Sequence, residues 1–315
     1  MITMEANYKK YAGGVWPVML TPFTRENKVD ENALEKLTEW YIESGVKGLF
    51  AACQSSEIFN LTFEERMKIV EITLKASKGR VPVIASANTS ESLEDQAKEL
   101  NAVWKLGVDA VILLSNRLAG QDEDSAVWIE NLHRLMSMLD SDMRLGIYEC
   151  PYPYKRVLNE EEMQAMIDTG RFFFIKDTCC DIDVIRRKLQ QIQGSSIQLF
   201  NANTTTLLES LEAGADGYCG VMANFHPELY VWLCDHYKES DAQIVSHVLT
   251  MNSLIERQLY PVNAKWHLKE IEGLPMEICA RVKNCEELTE TFKKEVIAMD
   301  RLSNNIFEKY CTVGK

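Results

Sequence analysis

The chain lacks most of the signatures that assign a protein quickly. No apolar segment approaches the roughly eighteen residues that a membrane span needs, which excludes a transmembrane helix. No Cys-x-x-Cys pair occurs among the nine cysteines, and no histidine stands at zinc-finger spacing. The cysteines (Cys53, Cys150, Cys179, Cys180, Cys219, Cys234, Cys279, Cys285 and Cys311) are odd in number and scattered, so they read as reduced thiols of a cytosolic protein. The opening segment, Met1 to Asn7, lacks the basic start and apolar stretch of a signal peptide, and the expected location is cytoplasmic. No Gly-x-Gly-x-x-Gly follows the first apolar run, where Gly13-Gly14 instead precede it, so a dinucleotide crevice has no support. Positive charge is scarce too. Lys and Arg total 34 against 47 Asp and Glu, a formal charge of −13 with pI near 5.0. Such a surface repels nucleic acid and anionic lipid, and neither is an expected partner.

What the chain does have is alternation. Short apolar runs at 15–20, 48–52, 81–86, 110–114, 144–148, 172–176, 197–201 and 217–221 read as eight strands. Amphipathic helices lie between them, with recognisable starts: Asp30 before 31–44, Thr62 with Glu65 as a capping box, and Asn159 with Glu162. A glycine recurs at helix-to-strand junctions, at Gly45, Gly107 and Gly214, where it suits the left-handed position that ends a helix. Strand and helix in turn imply a parallel sheet, and the count of eight predicts a (β/α)8 TIM barrel over 1–239. A doubly wound open sheet shares the same local grammar. Beyond Pro227 no strand pattern appears. Segments 229–237, 241–260, 264–271 and 286–307 read as helices, and 240–315 is predicted to be a C-terminal helical extension that packs on the barrel or on a neighbouring subunit.

In a barrel the active site lies at the C-terminal ends of the strands. The run Phe172-Phe173-Phe174-Ile175-Lys176 puts an amine directly after four apolar residues. An ordinary lysine near pKa 10.4 is neutral in about one molecule in a few thousand at pH 7, so a nucleophilic one needs burial or a nearby cation. A lysine that merely ends a strand snorkels its ammonium to water, and its neighbours decide between the two readings. Those neighbours are Tyr148 at the end of strand five, the turn Gln54-Ser55-Ser56 after strand two, and Cys219-Gly220-Val221 after strand eight. Each has an ordinary alternative. Paired serines cap helices, a strand-end tyrosine packs in the core with its hydroxyl at the rim, and His226 simply begins a helix. Asp177, Asp181 and Asp183 suggest a divalent metal, or more simply the cap of the helix near Ile182.

Taken together, these motifs resemble the dihydrodipicolinate synthase and N-acetylneuraminate lyase family of pyruvate-type class I aldolases and dehydratases. The likeness starts at Gly14-Val15-Trp16-Pro17-Val18-Met19-Leu20-Thr21-Pro22-Phe23, similar to the family's opening strand and Thr-Pro-Phe turn. Gln54-Ser55-Ser56-Glu57 falls at its Gly-x-Thr-Gly-Glu carboxylate loop, Tyr148-Glu149-Cys150-Pro151 at its Tyr-x-x-Pro, and Ile175-Lys176-Asp177 at its lysine strand. The resemblance implies that Lys176 forms an imine with pyruvate or a related 2-oxo or keto-deoxy sugar acid and that Tyr148 relays protons. It further implies that Ser55, with the amides of Ser55 and Ser56, holds the α-carboxylate beside Gln54. Asn201, Asn203, Cys219, Gly220 and Val221 would line the remainder of the substrate. It implies no metal or organic cofactor, and a homo-oligomer, tetramer or dimer. The chain also departs from the pattern. Gln54 replaces a hydroxyl residue of the usual relay, Ser115 stands where a tyrosine normally enters the neighbouring subunit, and Pro153 replaces the arginine that binds the aldehyde's second carboxylate. An atypical lyase is therefore expected, with a catalytically weakened 2-oxo-acid-binding or sensory protein as the alternative. Glu149 could serve as a further acid or base, although alternation along the strand turns it away from the barrel interior.

Overall fold

A computed structural model describes residues 10–311, so the opening heptapeptide on which the leader expectation rests lies outside them. Eight parallel strands, β1 (Gly14–Val15), β2 (Leu49–Phe50), β3 (Val83–Ser86), β4 (Ala110–Leu114), β5 (Leu145–Tyr148), β6 (Phe172–Asp177), β7 (Gln198–Asn201) and β8 (Gly217–Tyr218), run in the order β1-β8-β7-β6-β5-β4-β3-β2. A parallel bridge from Val18 to Phe50, with Phe50 N donating to the Pro17 carbonyl at 3.1 Å, joins the two ends and closes the barrel.

Helices α1 (Glu31–Glu43), α2 (Phe63–Ser77), α3 (Leu93–Lys105), α4 (Ser125–Ser137), α5 (Glu160–Thr169), α6 (Ile182–Gln191), α7 (Leu207–Glu212) and α8 (Pro227–His236) follow the strands in turn. Their starts are where the capping residues place them: Asp30 accepts from Ala33 N, and Thr62 with Glu65 and Asn159 with Glu162 form capping boxes. Gly45 and Gly214 close helices with φ of 87° and 103°, a conformation that costs a residue with Cβ. The first and last strands are shorter than the apolar runs predict. Pro17 has no N–H to pair, and Val221–Asn224 folds into a 3-10 turn.

Two cores result from strand alternation. Outward residues pack against the helices, whereas Trp16, Phe50, Ile112, Phe174, Phe200 and neighbours fill the barrel. Near its floor Phe174 and Phe200 stack with ring centroids 4.3 Å apart, and Trp16 lies 5.3 and 5.6 Å from them. Such pairs contribute about 0.5–1.5 kcal/mol each beyond area burial. Above this plug the interior becomes polar.

The tail is helical but more broken than predicted. In place of one helix over 241–260 stand α9 (Ala242–Asn252) and a 3-10 segment Ser253–Arg257, while the helix expected over 264–271 is α10 (Val262–Glu270), which begins directly after Pro261. The last long helix, α11 (Glu290–Ile306), is capped by Thr289. Between α10 and α11 the chain crosses the C-terminal mouth of the barrel. There Glu57, held at φ 62°, accepts from Lys265 Nζ at 2.7 Å and from the amides of Arg281 and Val282 at 2.6 and 2.9 Å. Arg281 also grips Glu65 through two bonds of 2.7 Å. This strap ties the tail to the loop after β2. Among the described residues no helix is long and apolar enough to cross a membrane, and all nine cysteines are free thiols.

Candidate active site

Strands β5 and β6 pair with Tyr148 opposite Lys176, which puts both side chains on the barrel interior one level above the aromatic plug. Lys176 is 3 % exposed, so it does not snorkel. Its Nζ lies 3.9 Å from the centroid of the Tyr148 ring and 5.8 Å from that of Phe50, resting on aromatic faces rather than in water. Three thiols surround the same chamber. Burial pushes Cys150 up to about 11 and Cys219 up to about 12 although the Lys176 charge opposes it, and both are neutral thiols at pH 7. Burial likewise holds the Tyr148 phenol well above its ordinary value, so it rests protonated and able to donate.

Cys150 is the residue that motif reading missed. It follows Tyr148 by two, the period that returns a strand to the same face, and it belongs to the inner core. The Tyr148 hydroxyl and this thiol share a hydrogen bond, and the thiol reaches Gln54 Oε1 at 3.2 Å and the Tyr152 carbonyl at 3.4 Å. A hydrogen-bonded line thus runs from the phenol beside Lys176 to the loop after β2.

Gln54, Ser55, Tyr148, Val221, Tyr260 and Lys283 are among the residues that enclose a cavity of about 680 Å³, which reaches Lys176 through the Tyr148 ring on which the amine rests. Ser55 and Tyr260 both line it; burial raises the Tyr260 phenol, and the Ser55 hydrogen bond opposes that rise. Much of the outer wall comes from the tail. Within it Arg281 is engaged with Glu65, while Lys283 stands exposed at the rim.

Several expected site residues are placed elsewhere. The Ser56 amide donates to the Cys53 carbonyl at 3.1 Å and its hydroxyl to the carbonyls of Met19 and Ala51, so neither is available to a carboxylate. Asn201 pairs with Asp177 in register and shares its outward direction. Its amide bonds Thr206 and Ser210 in and beside α7, and Asn203 accepts from Thr206. Those two asparagines brace the loop before α7 instead of lining the chamber. Gly220 contributes space, since a Cβ there would lie 2.3 Å from the Tyr218 hydroxyl oxygen and 2.4 Å from the Ala202 carbonyl. Cys219 and Val221 flank it on the chamber side.

The departures also have structural explanations. Ser115 is buried and donates to the Arg156 carbonyl at 2.9 Å. Asn116 donates to the carbonyls of Cys150, Tyr152 and Tyr154, which shapes the loop that carries Pro153. Asp181 caps α6 through the amides of Asp183 and Val184, the non-metal reading of that acidic run.

Behind Lys176 and Tyr148 lies a buried ionic cluster. Glu149 and Asp177, each one residue past Tyr148 and Lys176, point outward and share the ammonium of Lys188 from α6. One cation faces two carboxylates. Glu149 is raised by burial and by Asp177, and for Lys188 the two carboxylates outweigh a desolvation that acts the other way. Glu149 therefore does no chemistry inside the barrel. It fixes the register of the strands that do.

Comparison with known proteins agrees with this fold. The model of the Dihydrodipicolinate synthetase family matches residues 11–298. A 4-hydroxy-tetrahydrodipicolinate synthase from Thermodesulfovibrio yellowstonii is 25 % identical over 290 residues, 91 % of this chain and 93 % of that protein. One from Parvibaculum lavamentivorans is 28 % identical over 229 residues, 72 % of this chain and 74 % of that protein. Among solved structures, the wild-type sialic acid aldolase of Ruminococcus gnavus superposes with a TM-score of 0.83 at 19 % identity, covering 96 % of this chain and all of that one. The dihydrodipicolinate synthase of Thermotoga maritima gives 0.82 at 23 % identity, over 93 % and 99 % of the two chains.

Proposed function

Because this chain belongs to the dihydrodipicolinate synthetase family, we propose that it is a Schiff-base lyase acting on a 2-oxo acid that carries a hydroxylated chain, a keto-deoxy sugar acid by class. The observation that carries the proposal is the burial of Lys176 against the ring of Tyr148, which itself lines a cavity ample for such a substrate. In this reading the Lys176 amine attacks C2 of the oxo acid, and Tyr148 donates the proton with which the carbinolamine oxygen leaves as water. The resulting iminium accepts the electron pair of the bond broken at C3, either toward C4 in cleavage or of a C3–H bond ahead of water loss. Tyr148 carries the released proton. Ser55 holds the α-carboxylate with its hydroxyl, and Cys150 fixes the direction of the Tyr148 O–H.

The second substrate half is read from the cavity's uncharged groups. Gln54 and Tyr260 offer amide and hydroxyl partners, Glu57 and Arg281 are already paired with Lys265 and Glu65, and the one remaining lining cation, Lys283, stands out at the exposed rim. With Pro153 in place of an arginine, this favours hydroxyls over a second carboxylate and sets the substrate apart from aspartate semialdehyde. The sensory alternative rested on Gln54 and Ser115; with Cys150 bonded to Tyr148, no observation favours it. The exposed Ile244, Met251 and Leu254 on and after α9 support a homo-oligomer built from copies of this chain. Reduction with borohydride in the presence of pyruvate tests the assignment. One pyruvyl group should be added and map by peptide mass to Lys176, and labelling elsewhere, or none, would overturn it.

A further inference from the structure

A second group of chemistry-bearing side chains lies far from Lys176 in sequence, where the tail meets the barrel. His226 precedes α8, His267 lies on α10 and Asp300 on α11, all three buried. One ring nitrogen of each histidine and one carboxylate oxygen of Asp300 lie within 4.8 Å of one another. Two features set this apart from an ordinary buried hydrogen bond. His226 Nε2 is buried without a protein partner, although the side chain is only 2 % exposed. The closest pair, His267 Nε2 and Asp300 Oδ1, is 3.2 Å apart, close to the roughly 3.3 Å that separates ligands bound at about 2.0–2.1 Å around a tetrahedral ion.

We propose that His226, His267 and Asp300 bind a divalent transition metal of the zinc class and that this ion staples the C-terminal helices to the barrel. Two imidazoles and a carboxylate are the donor set of a borderline ion, and a hard cation such as magnesium or calcium would demand more oxygen. Glu272 Oε1, 3.9 Å from His267 Nε2, stands where a fourth ligand or a bound water completes the shell. Asn304 Nδ2 donates to Asp300 Oδ2 at 3.1 Å, which leaves Oδ1 directed at the site. Three helices distant in sequence converge here, so the ion would act on how the tail is held and leave the imine chemistry alone.

The test uses the whole chain after chelator treatment, titrated with cobalt(II). The proposal predicts one equivalent bound, visible d–d bands of a nitrogen and oxygen site, and no sulfur-to-cobalt charge transfer. Zinc should raise Tm in a concentration-dependent manner. His226→Gln should weaken cobalt binding at least about tenfold while borohydride trapping at Lys176 is retained. A thiolate charge-transfer band, the absence of saturable binding, or unchanged affinity in His226→Gln would each overturn the site. Should His226→Gln fail to fold, the wild-type spectrum and stoichiometry decide alone.

Discussion

Lys188→Met is the most telling perturbation of the scaffold, because it removes the one cation that Glu149 and Asp177 share. Both carboxylates stay fully buried, and each keeps backbone donors: Leu158 N and Thr178 N for Glu149, Cys179 N for Asp177. What disappears is two charge-assisted hydrogen bonds, about 1.5–3 kcal/mol each, in line with the about 3–5 kcal/mol lost when a buried ion pair is broken. A loss of about 4 kcal/mol lowers Tm by roughly 10 °C in a protein of this size. The loss also depends on pH. Glu149 already titrates above its ordinary value, and without Lys188 it rises further. A carboxyl raised in the folded state adds stability below its unfolded pKa, about 4.3, and loses it as pH rises through the folded value. The gap between wild type and variant should therefore be smaller at pH 5 than at pH 8. Urea denaturation followed by circular dichroism at both values measures it. Adding Glu149→Gln should recover part of the loss at pH 8. A variant within about 1 kcal/mol of wild type at both pH values would refute the picture of a charge-deficient cluster that fixes strand register.

Three further outcomes follow from the site. Cys150→Ala removes the hydrogen-bond partner of the Tyr148 hydroxyl without adding volume, so kcat should fall roughly tenfold or more while pyruvate trapping at Lys176 persists; equal loss of both would contradict its placement on the proton path. Glu57→Gln leaves Lys265 buried beside a neutral amide and weakens the strap over the cavity, costing about 3–5 kcal/mol by thermal or urea unfolding. Asn201→Ala should lower stability through the loop before α7 and leave KM for the oxo acid within about twofold, and a large KM change would restore Asn201 to the substrate site.

The fold was legible because its signals are local: strand runs of the right length, capping residues three positions from their acceptors, and glycines at helix ends. Lys176 and Tyr148 were legible for the same reason, each ending an apolar run. Alternation, applied to Glu149, correctly turned it outward. Applied equally to β7 it would have excluded Asn201, since Phe200 is the residue paired with Lys176. It would also have found Cys150, two residues from Tyr148. No comparable local signal reveals Ser56, whose donors are spent on carbonyls of Met19 and Cys53, or the pairing of Glu57 with Lys265, 208 positions apart. The break in the helix expected over 241–260 reflects the same limit, because its amphipathic pattern continues while the chain turns to reach the barrel mouth.

The central claim, an amine at position 176 that turns an oxo acid into an enamine, is tested most directly by incubating the protein with pyruvate in deuterium oxide and following the methyl resonance by proton NMR. Exchange of the methyl protons requires the imine and its enamine but no second substrate. Wild-type protein should exchange them, and Lys176→Arg should not. A folded wild-type protein that binds pyruvate and leaves the methyl signal intact, or a Lys176→Arg variant that exchanges it as fast, would contradict the account.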